Sequence, residues 1–209
     1  MTSAPGNETA AASASALPAP AARASVATDV ALVATFAAFI AVCAILPGIP
    51  TPSGVPITLQ TFGVILAGLV LGWRRGALAV LLYLALGLVG LPIFAEGTGG
   101  LVVLSKPSVG YLLAFPFAAA LAGVFGGLAL RVTSGWRYPV LVLAGLAASF
   151  LTIHPAGIVG LMARLGLSFR EAFAIDLVYW PGDVLKNLAA AAVALAVFKA
   201  FPDMLRTRR

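Results

Sequence analysis

The chain has 209 residues, of which 61% are hydrophobic and only 10% are charged, and its formal net charge is +6 at pH 7. Water-soluble domains carry about a quarter charged residues, so this composition excludes a soluble domain and predicts an integral membrane protein with several spans. The basic residues are scattered between apolar runs and form no patch, which argues against a nucleic-acid partner.

The first 26 residues differ in composition from the rest of the chain. Ala, Ser, Pro and Thr dominate residues 1–26, which contain a single basic residue, Arg23. A segment so poor in large apolar side chains cannot bury enough surface to fold, so we expect a disordered cytoplasmic tail. No apolar core precedes the Ala-Arg-Ala-Ser stretch, which argues against a cleaved signal peptide. Residues 27–209 are predicted to form one transmembrane domain.

The rest of the chain alternates between apolar runs and polar or Gly/Pro-rich breaks. A membrane-spanning helix needs about 20 residues, and the second and third runs reach that length only with flanking residues or with tilt. We predict an all-α protein with six transmembrane helices, and we interpret residues 165–181 as a long external loop. The six runs cover approximately residues 29–46, 58–71, 76–90, 109–130, 139–160 and 181–201.

The distribution of basic residues predicts the orientation. With six spans, both termini lie on one side of the membrane, and that side carries nine of the Lys and Arg residues against four on the other. The side richer in Lys and Arg is cytoplasmic. We therefore expect both termini in the cytoplasm. The nine are Arg23, Arg74, Arg75, Arg131, Arg137, Lys199, Arg206, Arg208 and Arg209, and the four are Lys106, Arg164, Arg170 and Lys186.

The sequence offers no catalytic constellation. The single histidine, His154, and the single cysteine, Cys43, fall in different apolar runs. Because Pro155 follows His154, we interpret the histidine as a packed residue beside a proline kink. The sequence contains no phosphate-binding P-loop motif, no serine-hydrolase turn and no cluster of metal ligands. We expect a binding or transport protein that needs no metal or cofactor, and not an enzyme.

Charged residues open the sixth apolar run. Asp183 and Lys186 are three residues apart, and Asn187 is four residues after Asp183, so all three share one face of a helix. Ionisable groups inside membrane spans usually face a cavity and mark function. The alternative is an ion pair at the membrane interface, with the lysine extending to water. The pattern predicts a solute-binding site at the external end of this helix.

Several short motifs follow one another in a fixed order along the chain. They lie at Pro56–Thr61, Gly72–Gly76, Tyr83–Gly87, Gly90–Phe94 and Gly110–Leu112, followed by Pro181, Gly182, Asp183 and Lys186. Their order and spacing resemble the BioY family, the biotin-binding S components of energy-coupling factor (ECF) transporters. The family often has G-P-T-G-G-Y-L before its fourth helix, where this chain has "SKPSVGYL", so Lys106 and Val109 are local replacements.

This resemblance implies a six-helix S component of a bacterial cytoplasmic membrane that binds biotin from the outside. It also implies three partners, namely a transmembrane T subunit and two ATPase subunits, with biotin as the transported substrate. The absence of a P-loop in the sequence agrees, because the energy would come from those partners. The alternative is a stand-alone permease for biotin or for another small heterocyclic acid.

The chemistry of biotin suggests roles for the candidate residues. Asp183 can accept a hydrogen bond from a ureido N–H, and Lys186 can donate to the ureido carbonyl; charged partners strengthen such bonds. Lys106 or Thr58 could bind the carboxylate, and the proline-rich loop 47–57 is a candidate lid. The other substrate-binding candidates are Gln60, Tyr111, Asn187 and the aromatic residues Phe94 and Trp180, with Phe62 and Tyr179 as further possible walls.

The first apolar run carries a stripe of small residues, here called the alanine stripe. Small side chains let another membrane helix approach closely, and the resemblance implies that this face docks on the T subunit. Alanine is the commonest residue in the chain, so the spacing could also arise by chance. The alanine stripe consists of Ala27, Ala31, Ala34, Ala38 and Ala41, spaced by four, three, four and three residues.

The orientation can be tested by labelling. Single cysteines replacing Ser53 and Ser168, in a Cys43→Ser background, should react with an impermeant thiol reagent added to intact cells, because both positions lie in predicted external loops. A cysteine in the Gly72–Gly76 connection should react only after the membrane is permeabilised. The opposite labelling pattern would invert the predicted topology.

Overall fold

The computed structural model describes residues 26–202, except for the side chain of Leu130. The predicted tail therefore lies outside the described residues apart from Val26, as do the basic residues Arg206, Arg208 and Arg209. Every regular element from Val26 to Pro202 is helical, which confirms the all-α prediction. The α-helices are α1 (Val26–Ile45), α2 (Gln60–Leu71), α3 (Trp73–Leu88), α4 (Val109–Gly126), α5 (Arg137–Ala148), α6 (His154–Leu165), α7 (Phe169–Leu177) and α8 (Trp180–Ala200).

Helix α2 lies at the centre of the bundle, where it packs against α1, α3, α4 and α8. After Gln60 and Thr61 its residues are apolar on all sides, and all of the helix but Thr61 and Phe62 is buried. A helix that is hydrophobic all round is stable only inside protein or lipid. The approach of α4 is close, since a Cβ atom on Gly68 would collide with the backbone of Ala119. The 12 residues of α2 are therefore surrounded mainly by other helices.

A single residue, Gly72, connects α2 to α3. Its φ of 84° lies in a region that residues with a Cβ atom rarely adopt. At the start of α3, the guanidinium of Arg75 forms an ion pair of 2.6 Å with Asp29 near the start of α1. The beginnings of α1 and α3 therefore lie at the same end of the bundle, as the grouping of the basic residues requires.

A π-helical turn at Ser149–Ile153 joins α5 to α6, where the sequence predicted a proline kink beside His154. Pro155 has no N–H to continue the regular helical hydrogen-bonding pattern, and a wide turn absorbs the missing bond. Ser149 and His154 are both buried. The turn thus directs two polar side chains into a bundle that is otherwise largely apolar.

The interpretation of residues 165–181 as an irregular loop is wrong, because they contain α7. The helix begins with a capping box, in which Ser168 Oγ accepts from the Glu171 N–H and Glu171 accepts from the Ser168 N–H. The hydrogen bonds from the Ser168 side chain and backbone hold the pKa of Glu171 below its ordinary value. This Ser-x-x-Glu pattern is a signal that the sequence itself carried. Helix α7 buries Ala172 and Asp176.

Within the described residues, four helical segments are long and apolar enough to cross a membrane. Helices α2 and α3 have only 12 and 16 residues. Each of these segments matches one of the six predicted runs, although the segment that matches the fifth run is longer than predicted. They are Val26–Ile45, Val109–Ala129, Ser134–Leu165 and Trp180–Ala200.

The contact between α2 and α4 can be tested with a matched pair of substitutions. Gly68→Ala should lower the stability of the protein by about 1–3 kcal/mol, because the new methyl group overpacks against Ala119. Gly127→Ala introduces the same methyl group into open space beside α4, so it should be neutral or slightly stabilising. Thermal unfolding in detergent measures both. Equal effects would contradict the close approach.

Candidate functional site

A cavity opens between loop 54–58, loop 94–98, the start of α4 and the start of α8. Its inner walls include Val103, Leu112 and Phe115. An apolar cavity with a few convergent polar groups is the usual form of a small-molecule site. The predicted site residues that line it are Thr58, Gln60, Phe94, Lys106, Tyr111, Tyr179, Asp183 and Lys186.

Asp183 and Lys186 form a salt bridge at the cavity wall. Lys186 Nζ donates to Asp183 Oδ1 over 2.8 Å, and Thr61 Oγ1 donates to the same oxygen over 2.9 Å. Asp183 lies in the first turn of α8, where the helix dipole favours an anion. Only 4% of its surface is exposed. Asp183 is therefore buried and Lys186 half-buried, and the two residues share one helix face as the sequence predicted.

Two further buried charged or ionisable residues lie behind this pair, and the sequence analysis did not identify them as a site. The carboxylate of Asp176 on α7 accepts from the Tyr111 hydroxyl and from Trp180 Nε1, each over 2.8 Å. His154 Nδ1 lies 2.9 Å from Asp176 Oδ2, and His154 Nε2 lies 3.6 Å from Asp183 Oδ2. His154 is packed beside the irregular turn at Pro155, as the sequence predicted, and the structure adds that it lies between two carboxylates.

Aromatic rings enclose the imidazole of His154. The Phe150 ring centroid lies 4.5 Å from that of His154, and the Trp180 centroid lies 5.8 Å from it. Phe173 on α7 packs edge-on against Trp180 at 5.7 Å. Trp180 thus does not line the cavity. Its indole holds Asp176 and covers the histidine instead.

Asn187, another predicted contact, also lies away from the cavity lining. Its Nδ2 donates to Ser149 Oγ over 3.1 Å and to the Asp183 backbone carbonyl over 2.8 Å. It therefore fixes α8 against the π-helical turn. Phe62, considered as a possible aromatic wall, is likewise absent from the lining and packs edge-on against Phe39 of α1.

Gln60 and Phe94 line the cavity together and share a neighbour, Tyr83. Gln60 Nε2 donates to the Tyr83 hydroxyl over 2.7 Å, and the rings of Tyr83 and Phe94 are 5.4 Å apart in an edge-to-face arrangement. A side chain on Gly87 would collide with the Phe94 ring. Helix α3 therefore supports both residues from outside the cavity.

The loop 47–57, the candidate lid, is tied to the start of α8. Ser53 Oγ lies 2.7 Å from the Tyr179 hydroxyl, which donates to the Val55 carbonyl over 3.1 Å. An isolated β-bridge between Ile49 and Ile57 closes the loop on itself. Loop residues 54–57 then form part of the cavity wall. Ser53 is half-buried here, which makes the exposed Ser168 the more accessible of the two labelling positions.

Comparisons with known proteins identify the family. The family model described as "BioY family" matches residues 12–203. The chain belongs to the BioY family. It is 38% identical to the biotin transporter BioY of Rhizobium etli over 179 residues, which cover 83% of this chain and 95% of the relative. It is 39% identical to the biotin transporter BioY of Rhodobacter capsulatus over 192 residues, covering 86% and 98%.

A solved structure agrees with this assignment. The fold matches the crystal structure of the S-component for biotin from an ECF-type ABC transporter, with a TM-score of 0.73. The two chains are 30% identical, and the match covers 83% of this chain and 92% of the other. The resemblance seen in the motifs is thus confirmed. The relatives are named transporters, and the chain is a multi-pass membrane protein.

The motifs of this BioY-family chain converge on the cavity although they are distant in sequence. Pro56–Thr61 contributes a wall and the start of α2, and the Pro-Gly-Asp-x-x-Lys motif begins α8 with Asp183 and Lys186. The Gly72–Gly76 motif instead forms the turn between α2 and α3, away from the cavity lining. The family motifs therefore include both cavity residues and residues of helix packing.

Proposed function

We propose that the chain is the biotin-binding S component of an ECF-type transporter. The observation that supports this best is the Asp183–Lys186 salt bridge, which is largely withdrawn from solvent and lines the cavity. Its relatives are named biotin transporters, and its structural neighbour is an S-component for biotin. Biotin is the substrate of this proposal and not a resident cofactor.

The cavity offers the groups that the ureido ring of biotin requires. The carboxylate of Asp183 can accept from a ureido N–H. The ammonium of Lys186 has three donors and uses one for Asp183, so it can also donate to the ureido carbonyl. Thr58, Gln60 and Tyr111 supply further polar groups at the wall.

The other parts of biotin match other parts of the wall. The ring of Phe94, together with Val103 and Phe115, provides apolar surface for the thiophane ring and the valeryl chain. Lys106 lines the cavity and is our candidate for the carboxylate. Asn187 and Trp180 support the site from behind in this proposal, and they need not touch the substrate.

We further propose six transmembrane segments with both termini in the cytoplasm. In this arrangement α1, α2, α3, α4, the joined α5–α6 and α8 each cross the membrane, and α7 lies at the external end. The Asp29–Arg75 pair supports placing the start of α1 and the turn between α2 and α3 on one side of the membrane, which we take to be the cytoplasm. The loops that line the cavity belong to the connections on the other side. The cavity then opens to the outside.

The alanine stripe is our proposed docking surface for the T subunit, which would connect the chain to two ATPase subunits. Four of its five residues are exposed, and only Ala41 is half-buried. The helix instead packs into the bundle through Ala37, Ile40, Cys43 and Ala44. An exposed row of small side chains suits close packing against another helix within the membrane. A stand-alone permease would have no need of this surface.

Titration of biotin against the purified protein in detergent tests the binding proposal. Asp183→Asn and Lys186→Met should each weaken binding by about one to two decades, because a charged hydrogen-bond partner contributes about 1.5–3 kcal/mol. Asp29→Asn and Lys199→Met are matched controls away from the cavity, and they should bind normally. Normal affinity in the folded fraction of the Asp183 and Lys186 variants would show a purely structural ion pair.

The docking proposal predicts a separation of binding from transport. Ala34→Trp combined with Ala38→Trp should abolish ATP-driven biotin uptake while biotin binding stays intact, because the large rings keep a partner helix at a distance. Phe117→Trp with Leu143→Trp places equally large rings at exposed positions on α4 and α5 as the control.

Uptake and copurification of the ATPase subunits should be measured together for both double variants. Normal assembly and transport by the Ala34/Ala38 double variant would contradict the docking role. Loss of binding together with assembly would show that the stripe serves internal packing. Uptake by the wild-type chain without ATPase subunits would favour the permease.

A further inference from the structure

Four ionisable side chains form a continuous row behind and beside the cavity, and all but the half-buried Lys186 are buried. In order they are Asp176, His154, Asp183 and Lys186, separated by 2.9, 3.6 and 2.8 Å between the nearest charged atoms. The proposed function uses Asp183 and Lys186 as substrate contacts. It assigns no role to Asp176 and His154, neither of which lines the cavity.

The contacts of Asp176 indicate which nitrogen of the imidazole carries a proton. Asp176 is fully buried, and its two oxygens face the Tyr111 hydroxyl, the Trp180 indole N–H and His154 Nδ1. An indole nitrogen can only donate, and an ionised carboxylate can only accept. The network is therefore satisfied when Asp176 is a carboxylate and His154 Nδ1 carries a hydrogen.

The second ring nitrogen faces the other carboxylate. His154 Nε2 lies 3.6 Å from Asp183 Oδ2, and it has no hydrogen-bond partner among the described residues. If Nε2 carried no proton, its lone pair would face the carboxylate of Asp183, which is unfavourable. If Nε2 is protonated, the contact is attractive. The four side chains then have no net charge, because the imidazolium and the Lys186 ammonium offset the two carboxylates. Buried charge without a counter-charge costs several kcal/mol per ion.

We propose that His154 is an imidazolium, held by Asp176, that positions Asp183 as the acceptor for the substrate. The part of this inference that concerns the substrate rests on the proposed function. The imidazolium fixes Oδ2 of Asp183, while Lys186 and Thr61 fix Oδ1. His154 and Asp176 are thus positioning residues and make no substrate contact of their own.

The groups around the imidazole support this assignment. The charged or titratable groups close to the row are Tyr111 from α4, Asp176 from α7, Tyr179 beside the start of α8, and Asp183 and Lys186 from α8. The rings of Phe150 and Trp180 also pack near the imidazole and limit the access of water to it. The two carboxylates are the nearest groups able to stabilise a charge on the ring.

The charge of the imidazole can be observed directly, since His154 is the single histidine of the chain. In ¹⁵N-histidine-labelled protein with its purification tag removed, the wild type should show two ring-nitrogen resonances close together near neutral pH, as an imidazolium does. Asp183→Asn and Asp176→Asn should each shift the spectrum toward the widely separated pair of a neutral ring. A neutral-ring spectrum from the wild type would overturn the proposal, and this measurement requires no mutant protein.

A double-mutant cycle tests the positioning role. His154→Gln and Asp176→Asn should each weaken biotin binding about tenfold, and the double variant should bind no more weakly than His154→Gln alone, because Asp176 acts through His154. Asp29→Asn, the matched control, should bind as the wild type does. Additive losses, or normal affinity in folded His154→Gln, would overturn the positioning role. A wild type that binds no biotin would overturn the proposed function, while its spectrum would still decide the charge of His154.

Discussion

Balancing buried charge is the constraint on which the site depends. Two carboxylates lie in a bundle that excludes water, and each would be strongly unfavourable there without a counter-charge and hydrogen bonds. Lys186 satisfies Asp183 from the same helix, one turn away. Asp176 is satisfied by side chains from three other segments, which include the indole of Trp180 and the imidazole of His154. These contacts join α6, α7 and α8 to one another behind the cavity wall.

The apolar part of the fold provides the frame that makes such contacts possible. Helix α2 fills the centre, and the glycine at Gly68 lets α4 approach its backbone. The π-helical turn before His154 then directs that residue inward at the depth of Asp183. Small residues and an irregular turn thus act together, because the turn brings His154 between Asp176 and Asp183, which lie on the regular helices α7 and α8.

The proposed binding site is held in place by contacts within the protein. Asp183 accepts from Thr61 and Lys186, so in the proposed function binding needs little further ordering of these side chains. The cavity and the alanine stripe lie on different elements, with the stripe on the outer face of α1. Binding and assembly with partners can therefore be separated by mutation, as the proposed function requires.

The sequence by itself determined the membrane class, the apolar runs and the helix face that Asp183 and Lys186 share, because hydropathy and helical spacing are local properties. The motifs determined the family. The site residues named beforehand remain predictions as substrate contacts. The tertiary structure alone decided that Asp176 and His154, 22 residues apart, meet beside Asp183. It also decided that Trp180 and Asn187 support the site from outside the cavity. The physical reason is that the packing of separate helices decides which side chains come close enough to balance a buried charge.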